Sequence, residues 1–177
     1  MLDIVKQTID FYMKNLRKPE INELNINNKD LLWERASCFV TLYHKWNIRW
    51  SSWNIKEISQ NTVEELIENT IHAISEDKRF SKLSLQESKE LKIRVDKIVS
   101  RELVEKSNIN KIEPTSSWVI VLKKDYEKMA CILPNIDAKI LTWEDYAPIL
   151  EQKLNEKNFN PDDYHIYTIK TKTETDY

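Results

Sequence analysis

The sequence predicts an α+β fold, in which a mainly antiparallel sheet is flanked by helices, with room for a small second lobe. Three observations predict it. Apolar residues recur at helical spacing in some segments and alternate with polar ones in others. The strand-like runs come in neighbouring pairs joined by short polar turns, as in hairpins. Helical and strand-like segments are grouped rather than strictly alternating, which favours α+β over a doubly wound parallel sheet.

The length and composition are those of one soluble globular domain. We expect a single domain over 1–177, with disorder only in the tail at 172–177. No apolar run is long enough to cross a membrane, and acidic residues stand where a signal peptide would be basic, so a cytoplasmic protein is expected. The net charge of -2 disfavours nucleic-acid binding, because phosphate backbones are bound by excess positive charge.

The sequence contains no glycine. Glycine-rich phosphate-binding loops, such as the Walker loop and the dinucleotide fingerprint, are therefore excluded, because they need backbone without a side chain at fixed positions. Positions with positive φ must be taken by other residues, and asparagine tolerates them best. The candidates are Asn27, Asn28, Asn47, Asn110, Asn158 and Asn160.

The chain begins with a helix followed by a hairpin. Apolar residues at helical spacing predict a helix from residue 2 that stops near Arg17 to Pro19. β-branched and aromatic residues predict a strand at 36–43. A turn at 44–47 then connects it to a partner strand at 48–54.

A second amphipathic helix follows the hairpin. Thr62 and Glu65 have the spacing of a capping box, and apolar residues up to position 74 then form one helical face. The acidic residues of this helix are expected to face solvent, where they interact favourably with the helix dipole. They are Glu64, Glu65 and Glu68.

The middle of the chain contains a short helical turn, a strand and a second hairpin. Ser84 with Glu87 is a capping pattern, and the alternation at 91–95 predicts a strand. The runs at 118–122 and 129–133 are separated by a charged turn, which is typical of a hairpin. Their nearly continuous apolar character predicts burial on both faces.

The last helix is constrained by Pro148, because proline fits only where its missing amide would be unpaired. A helix capped by Asp145 places Pro148 in the first turn, whereas a helix beginning at Thr142 would have to bend, and the sequence leaves both open. Asn158 is expected to provide the left-handed cap at the end of this helix. The alternation at 164–171 predicts the final strand.

The stretch NIRWSSW at 47–53 carries the first candidate site. On an extended strand Arg49, Ser51 and Trp53 share one face. An arginine beside a hydroxyl can hold a carboxylate or phosphate. In the alternative interpretation, Arg49 stacks on Trp53 or a neighbouring ring and the strand has a structural role only.

Asp77 and Arg79 follow the second helix, where they can bring a carboxylate and a second guanidinium to the same cleft. Alternatively, Asp77 pairs with Arg79 or Arg35 and fixes the corner of the chain. The sequence leaves both interpretations open.

Metal and thiol chemistry find little support in the sequence. His44, His72 and His165 lie on different elements without ligand spacing, so no metal site is predicted. Cys38 and Cys131 lie in apolar runs and are expected to be reduced core thiols. The sequence does not identify a cofactor.

The order of these motifs resembles the AMMECR-one domain family over nearly the whole chain. FVTL at 39–42 matches that family well, DKRFSKL at 77–83 resembles its D-P-R-F-x-x-L pattern, and the Leu-Pro pair at 133–134 resembles the start of its L-P-Q-V pattern. The resemblance implies the family's α+β fold. Because bacterial and archaeal members are often encoded beside Memo-like and radical S-adenosylmethionine proteins, it also implies these as protein partners. The matching positions are Asp77, Arg79, Phe80, Leu83, Leu133 and Pro134.

The sequence departs from the family at its L-R-G-C-I-G signature. Only the first two positions fit, and both glycines have become tryptophans, Trp50 and Trp53. The cysteine has become Ser51, a weaker nucleophile. The resemblance therefore implies that any chemistry relying on that thiol or on bare backbone is lost here.

Two functions follow from these residues. The leading hypothesis is a non-catalytic protein that binds a small anionic ligand or a protein partner around Arg49, Trp50, Trp53 and Arg79. The alternative is an enzyme acting on a small anionic substrate, in which Arg49 and Arg79 bind charge while Ser51 and Asp77 take part in catalysis. A third interpretation, RNA binding through stacked tryptophans, lacks the basic patch it requires.

Overall fold

A computed structural model describes residues 1–77, 81–134 and 138–177. The chain divides into two compact units. Unit 1 comprises Met1–Ile98 and Thr171–Tyr177, and unit 2 comprises Val99–Lys170. Helices and an antiparallel sheet make up an α+β fold, which confirms the predicted class.

The regular elements occur in the predicted order. The helices are α1 (Leu2–Asn15), α2 (Thr62–Glu76), α3 (Leu85–Ser88) and α4 (Ala147–Leu154). The strands are β1 (Cys38–His44), β2 (Asn47–Trp53), β3 (Lys92–Leu103), β4 (Trp118–Lys123), β5 (Met129–Ile132) and β6 (Tyr164–Thr175). Short 3-10 segments connect several of them. No helix among the residues described has both the length and the apolar character needed to cross a membrane.

In unit 1, β1 of the first hairpin lies between two other strands. It pairs antiparallel with β2 on one side and with the first half of β3 on the other, so that β2 is an edge strand. Helix α2 packs on one face of these strands, and α1 packs against α2. The core between them contains Val5, Ile9, Val40, Leu42, Trp50, Leu66, Ile74 and Val95.

In unit 2, β4 is the central strand. It pairs antiparallel with β5 and with the first half of β6, which confirms the second predicted hairpin and the final strand. Helix α4 packs against β5. The core of this unit contains Val119, Val121, Ile132, Tyr146, Leu150 and Ile166.

The start of α2 differs from the prediction by one residue. Asn61 is the N-cap, and its side chain accepts the backbone N–H of Glu64 at 2.9 Å. Thr62 is already helical, so its predicted capping box with Glu65 is wrong. The reason is that Glu65 points inward and is only 1% exposed. The capping box predicted further along the chain, between Ser84 and Glu87, is confirmed at the start of α3.

Helix α4 begins late enough to place its proline in the first turn, as one of the two alternatives predicted. Pro148 lies in its first turn, so the helix does not bend. Asp145 does not cap α4, because its Oδ2 accepts the backbone N–H of Thr142 at 2.8 Å in the preceding turn. The helix ends earlier than predicted, at the left-handed residue Asn155, while Asn158 has a positive φ of 59° in the following loop.

Left-handed backbone falls mostly on residues other than the predicted asparagines. Both central residues of the β1–β2 turn, Lys45 and Trp46, have positive φ, at 50° and 66°. This matches a type I′ turn, whose twist suits a hairpin and which glycine or asparagine normally occupies. Hairpin geometry therefore dictates the backbone here, not residue preference. The other described positive-φ residues are Leu16, Tyr126, Asn155 and Asn158.

The tail at 172–177 was predicted to be disordered. In the structure it forms the end of β6 and the two residues that follow the strand. β6 continues to Thr175. Asp176 then accepts the backbone N–H of Ile93 through Oδ1 at 2.8 Å, and its own N–H donates to the Ile93 carbonyl at 3.2 Å. Pairing with β3 therefore fixes a segment that its polar composition alone does not.

Replacing Leu16 by glycine is expected to stabilise the protein. Leu16 ends α1 with φ at 54°, and its side chain is 77% exposed, so little packing is lost on truncation. Left-handed backbone costs a residue with a Cβ about 1–2 kcal/mol, and glycine avoids this cost. We expect Leu16→Gly to raise the free energy of unfolding by about 1 kcal/mol in urea denaturation. Leu16→Ala keeps the Cβ and is the matched control, and an equal gain in both variants would contradict the explanation.

Candidate functional site

The strand NIRWSSW forms β2, and a β-bulge sets the direction of its side chains. Leu42 of β1 pairs with Trp50, and Tyr43 pairs with Ile48, so Arg49 is an extra residue without an opposite partner in the register. The bulge breaks the alternation on which the prediction depended. Arg49 therefore does not share a face with Ser51.

Trp50 lies in the core of unit 1. Its side chain is 1% exposed, and its Nε1–H donates to the carbonyl of Ser81 at 2.9 Å. The interface hypothesis needs this indole at the surface, and the structure does not place it there. Trp50 instead anchors the chain after position 80 to the edge strand.

The guanidinium of Arg49 contacts three other side chains of the protein. Its Nη2 donates to the hydroxyl of Ser81 at 2.8 Å and lies 3.6 Å from Oε1 of Glu87 on α3. Its guanidinium carbon lies 4.4 Å from the centroid of the Trp50 ring, so the stacking interpretation holds for Trp50. An external anion at Arg49 would have to compete with the carboxylate of Glu87.

Asp77 contacts the strand through the backbone of Ser51. Its Oδ2 accepts the Ser51 N–H at 3.1 Å, which ties the end of α2 to the outer edge of β2. Arg35, one of its predicted partners, donates to the carbonyls of Glu57 and Ser59 at 3.3 and 3.1 Å. Arg79, the other predicted partner and the second candidate for binding charge, lies outside the described residues.

Trp53 is half-buried and stacks on Phe39. The two rings pack at 5.0 Å between centroids with an interplanar angle of 15°. They are directly opposite each other in the β1–β2 register. Trp53 thus belongs to the sheet face that also carries Ser51.

We call this face the polar sheet face. It is the side of the unit 1 strands that faces away from α2. The sequence analysis did not identify its charged residues Arg94 and Asp96. Asp96 is 0% exposed and accepts from Nε and Nη2 of Arg94 at 2.7 and 2.9 Å. Thr173 of β6 also donates its hydroxyl to Asp96. The hydrogen bonds that Arg94 donates to Asp96 raise the pKa of Arg94 above its usual value.

A signal for this pair is present in the sequence. Polar residues at 92, 94 and 96 alternate with Ile93 and Val95, which is the pattern of a strand with one apolar face. An arginine and an aspartate two residues apart on such a strand share a face, so that pairing is geometrically possible. Their burial depends on β1 and β6, whose positions the local pattern does not contain.

Glu65 is the second buried carboxylate that the sequence analysis misplaced. It was expected to be solvated, and this prediction is wrong. Its Oε1 accepts from the side-chain amides of Asn54 and Asn69 at 2.8 and 3.1 Å, and its Oε2 accepts the Ser59 N–H at 3.3 Å. Asn69 also accepts the hydroxyl of Ser52 at 2.9 Å. This network connects α2 to the end of β2.

The chemistry of the remaining candidates is limited. Cys38 is 0% exposed, and burial raises the pKa of its thiol to about 12, so it stays protonated at neutral pH. Cys131 is also buried and free of any disulfide. In the part of the chain that the structure describes, no three His, Cys, Asp or Glu side chains come together in a way that could hold a metal ion.

The chain is similar to known proteins in its sequence family and in its fold. A family model described as AMMECR1 matches residues 2–173. Among solved structures, the chain is similar to the uncharacterized protein PH0010 from Pyrococcus horikoshii, with a TM-score of 0.79 and 22% sequence identity. The alignment covers 96% of this chain and 86% of that one, which supports the same fold. No curated protein matches.

Proposed function

This chain belongs to the AMMECR1 family, and we propose that it is a divergent, non-catalytic member that binds a partner protein at the edge of unit 1 formed by β2 and α3. The observation that carries the non-catalytic part is the position of Trp50. The family signature has a glycine at this place, and here a buried indole is hydrogen-bonded to Ser81. A ligand that needs bare backbone at this position would meet that ring.

The partner-binding part rests on exposed apolar side chains of the β1–β2 hairpin and of α3, which we call the hairpin surface. Trp46 is 69% exposed at the β1–β2 turn, Ile48 is 44% exposed on β2, and Leu85 is 58% exposed on the short helix that contacts Arg49. Tryptophan and arginine contribute most strongly to contact energy at protein interfaces. The alternative ligand at this surface, a small anion, is less well supported because Glu87 lies beside Arg49.

The experiment uses the partners that the family resemblance implies. The purified chain is mixed with the Memo-like protein of the same organism, and separately with its radical S-adenosylmethionine protein, and binding is measured by biolayer interferometry. We expect a complex with one of them. We expect the double variant Trp46→Ala/Ile48→Asp to weaken it by about thirtyfold or more, because two central interface side chains are lost.

Leu141→Asp is the matched control. Leu141 is 67% exposed but lies in unit 2, so its replacement adds the same charge away from the hairpin surface. Circular dichroism verifies that each variant is folded. No complex with either protein, or equal weakening by the hairpin and control variants, would overturn the proposal.

The alternative function is an enzyme acting on a small anionic substrate, with Ser51 and Asp77 in catalysis and Arg49 and Arg79 binding charge. One contact favours it, the 3.1 Å hydrogen bond from the Ser51 N–H to Asp77. Catalysis requires the carboxylate to reach the Ser51 hydroxyl as well. A turnover of small phosphate or carboxylate esters that is lost in Ser51→Ala but kept in Ser52→Ala would replace the non-catalytic proposal.

A further inference from the structure

We propose that a cavity in unit 2 binds a basic amino acid, a small molecule with two ammonium groups and one carboxylate. The cavity has a volume of about 400 Å³, which suits a small-molecule site. It lies entirely within unit 2, so the proposal does not rest on the hairpin surface of unit 1 or on a protein partner. We call it the polar cavity, and its polar lining residues are Glu102, Glu105, Asn108, Lys111, Ser117 and Thr168.

One wall of the polar cavity is a ridge of polar residues on the 3-10 helix Lys106–Lys111. Side chains three residues apart lie above one another in such a helix. Glu105 immediately precedes the helix, so Glu105, Asn108 and Lys111 form one ridge, and all three line the cavity. Ile109 belongs to the neighbouring ridge, is 7% exposed and packs in the core of unit 2. Core packing therefore fixes the orientation of the helix and leaves the polar ridge to the cavity.

The opposite wall is built by the ends of strands. Val104, just after β3, donates its backbone N–H to the carbonyl of Ile166 on β6 at 2.8 Å. Glu102 lies two residues before Val104, and Thr168 lies two residues after Ile166, and both line the cavity. Ser117 immediately precedes β4 and is half-buried, as is Thr168. This wall contributes one carboxylate and two hydroxyls.

The charged side chains of the polar cavity are free to bind a ligand. Within the described ranges of the chain, no hydrogen bond or ion pair engages the carboxylates of Glu102 and Glu105 or the ammonium of Lys111. By contrast, Lys106 of the same helix pairs with Asp162 at 2.6 Å. Six residues of a 3-10 helix rise by about 12 Å, so Glu105 and Lys111 lie at opposite ends of the polar ridge. Opposite charges therefore face one cavity without neutralising each other.

The balance of charge selects the class of ligand. Two carboxylates and one ammonium leave the polar cavity with a net negative charge, and a basic amino acid carries the complementary set of two ammonium groups and one carboxylate. Its hydrocarbon stem separates the side-chain ammonium from the carboxylate, as the ridge separates Glu105 from Lys111. Val104 and Ile112 also line the cavity and are half-buried and buried, so they offer apolar surface to that stem.

The test is an NMR titration of the full chain, labelled with nitrogen-15, with free L-lysine against equal concentrations of sodium chloride. We expect saturable amide shifts concentrated at 102–112 and near Ser117 and Thr168. Two analogues are titrated in the same way. Norleucine lacks the side-chain ammonium and cadaverine lacks the carboxylate, so each should bind about fivefold more weakly than L-lysine, because one ionic contact is lost.

Lys111→Met tests the carboxylate contact. We expect it to weaken the binding of L-lysine about fivefold and not to weaken the binding of cadaverine, which has no carboxylate to lose. Lys106→Met is the matched control, because it removes a lysine of the same helix that pairs with Asp162 and does not line the polar cavity. Its affinity for L-lysine should be nearly that of the unchanged chain.

Both substituted lysines are exposed, and circular dichroism verifies that each variant is folded. If a variant is not folded, the comparison of the three ligands on the unchanged chain decides. The proposal is overturned by an absence of saturable shifts with L-lysine, by shifts confined to other parts of the molecule, by an analogue that binds as tightly as L-lysine, or by equal affinities in the Lys111 and Lys106 variants.

Discussion

Asp96→Ala is expected to lower the free energy of unfolding by about 3–5 kcal/mol. The carboxylate is 0% exposed, and its removal leaves the guanidinium of Arg94 without the counter-charge to which it donates twice. The hydroxyl of Thr173 also loses its acceptor. Breaking a buried pair from one side is much more costly than replacing both partners. Urea denaturation followed by tryptophan fluorescence measures the loss.

The double variant Arg94→Met/Asp96→Leu separates charge from packing. It replaces the ion pair by apolar side chains of similar volume, and we expect it to recover most of the stability that Asp96→Ala loses. If the double variant is as unstable as Asp96→Ala, the uncompensated charge is not the cause. If Asp96→Ala is nearly neutral, Asp96 does not stabilise unit 1 in the way the structure indicates.

Glu65→Ala is expected to lower the free energy of unfolding by about 3 kcal/mol, because it leaves one buried and two partly buried donors without an acceptor, and a buried donor in that state costs about 1–3 kcal/mol. The side-chain amides of Asn54 and Asn69 and the backbone N–H of Ser59 all donate to Glu65. The same denaturation measurement applies. Glu65→Gln should cost less, since its carbonyl oxygen can still accept from the two asparagines.

Glu64→Ala is the matched control for the Glu65 variant. Glu64 is the preceding residue of α2 but is half-buried, and its carboxylate accepts an exposed hydrogen bond from the Gln60 N–H at 3.0 Å. We expect its replacement to cost about 0.5 kcal/mol or less, as is usual for surface positions. A loss as large as that of Glu65→Ala would show that removing any acid from this turn destabilises α2, and that burial is not decisive.

Local sequence patterns were sufficient to predict the fold class, both hairpins and the Ser84–Glu87 capping box. Each of these features is encoded within a few consecutive residues, by alternation, helical spacing or a short polar turn. The end of α4 was placed too late because two neighbouring asparagines, Asn155 and Asn158, both adopt left-handed backbone. A sequence does not show which of two suitable residues ends the helix.

The candidate site was harder to predict, because its geometry depends on contacts between distant segments. The prediction that Arg49 and Ser51 share a face assumed a regular strand, and the bulge that separates them appears only in the register with β1. Glu65 reads as a surface acid on a helix, and its burial is stabilised by Asn54 and Ser59, which precede the helix. The Arg94–Asp96 pair was overlooked because Asp96 becomes buried only when β3 pairs with β1 and Thr173 of β6 reaches it.

The strained turn at Lys45 and Trp46 has a consequence for how unit 1 assembles. Two left-handed residues with side chains make this turn unfavourable in the free chain, by about 1–2 kcal/mol for each residue. The β1–β2 hairpin therefore cannot nucleate at its own turn, as a hairpin with an Asn-Gly turn does. We expect it to close only after α2 and β3 provide surfaces for β1 and Trp50. The segment that carries the hairpin surface is then among the last parts of unit 1 to form during folding, and among the first to open in local fluctuations.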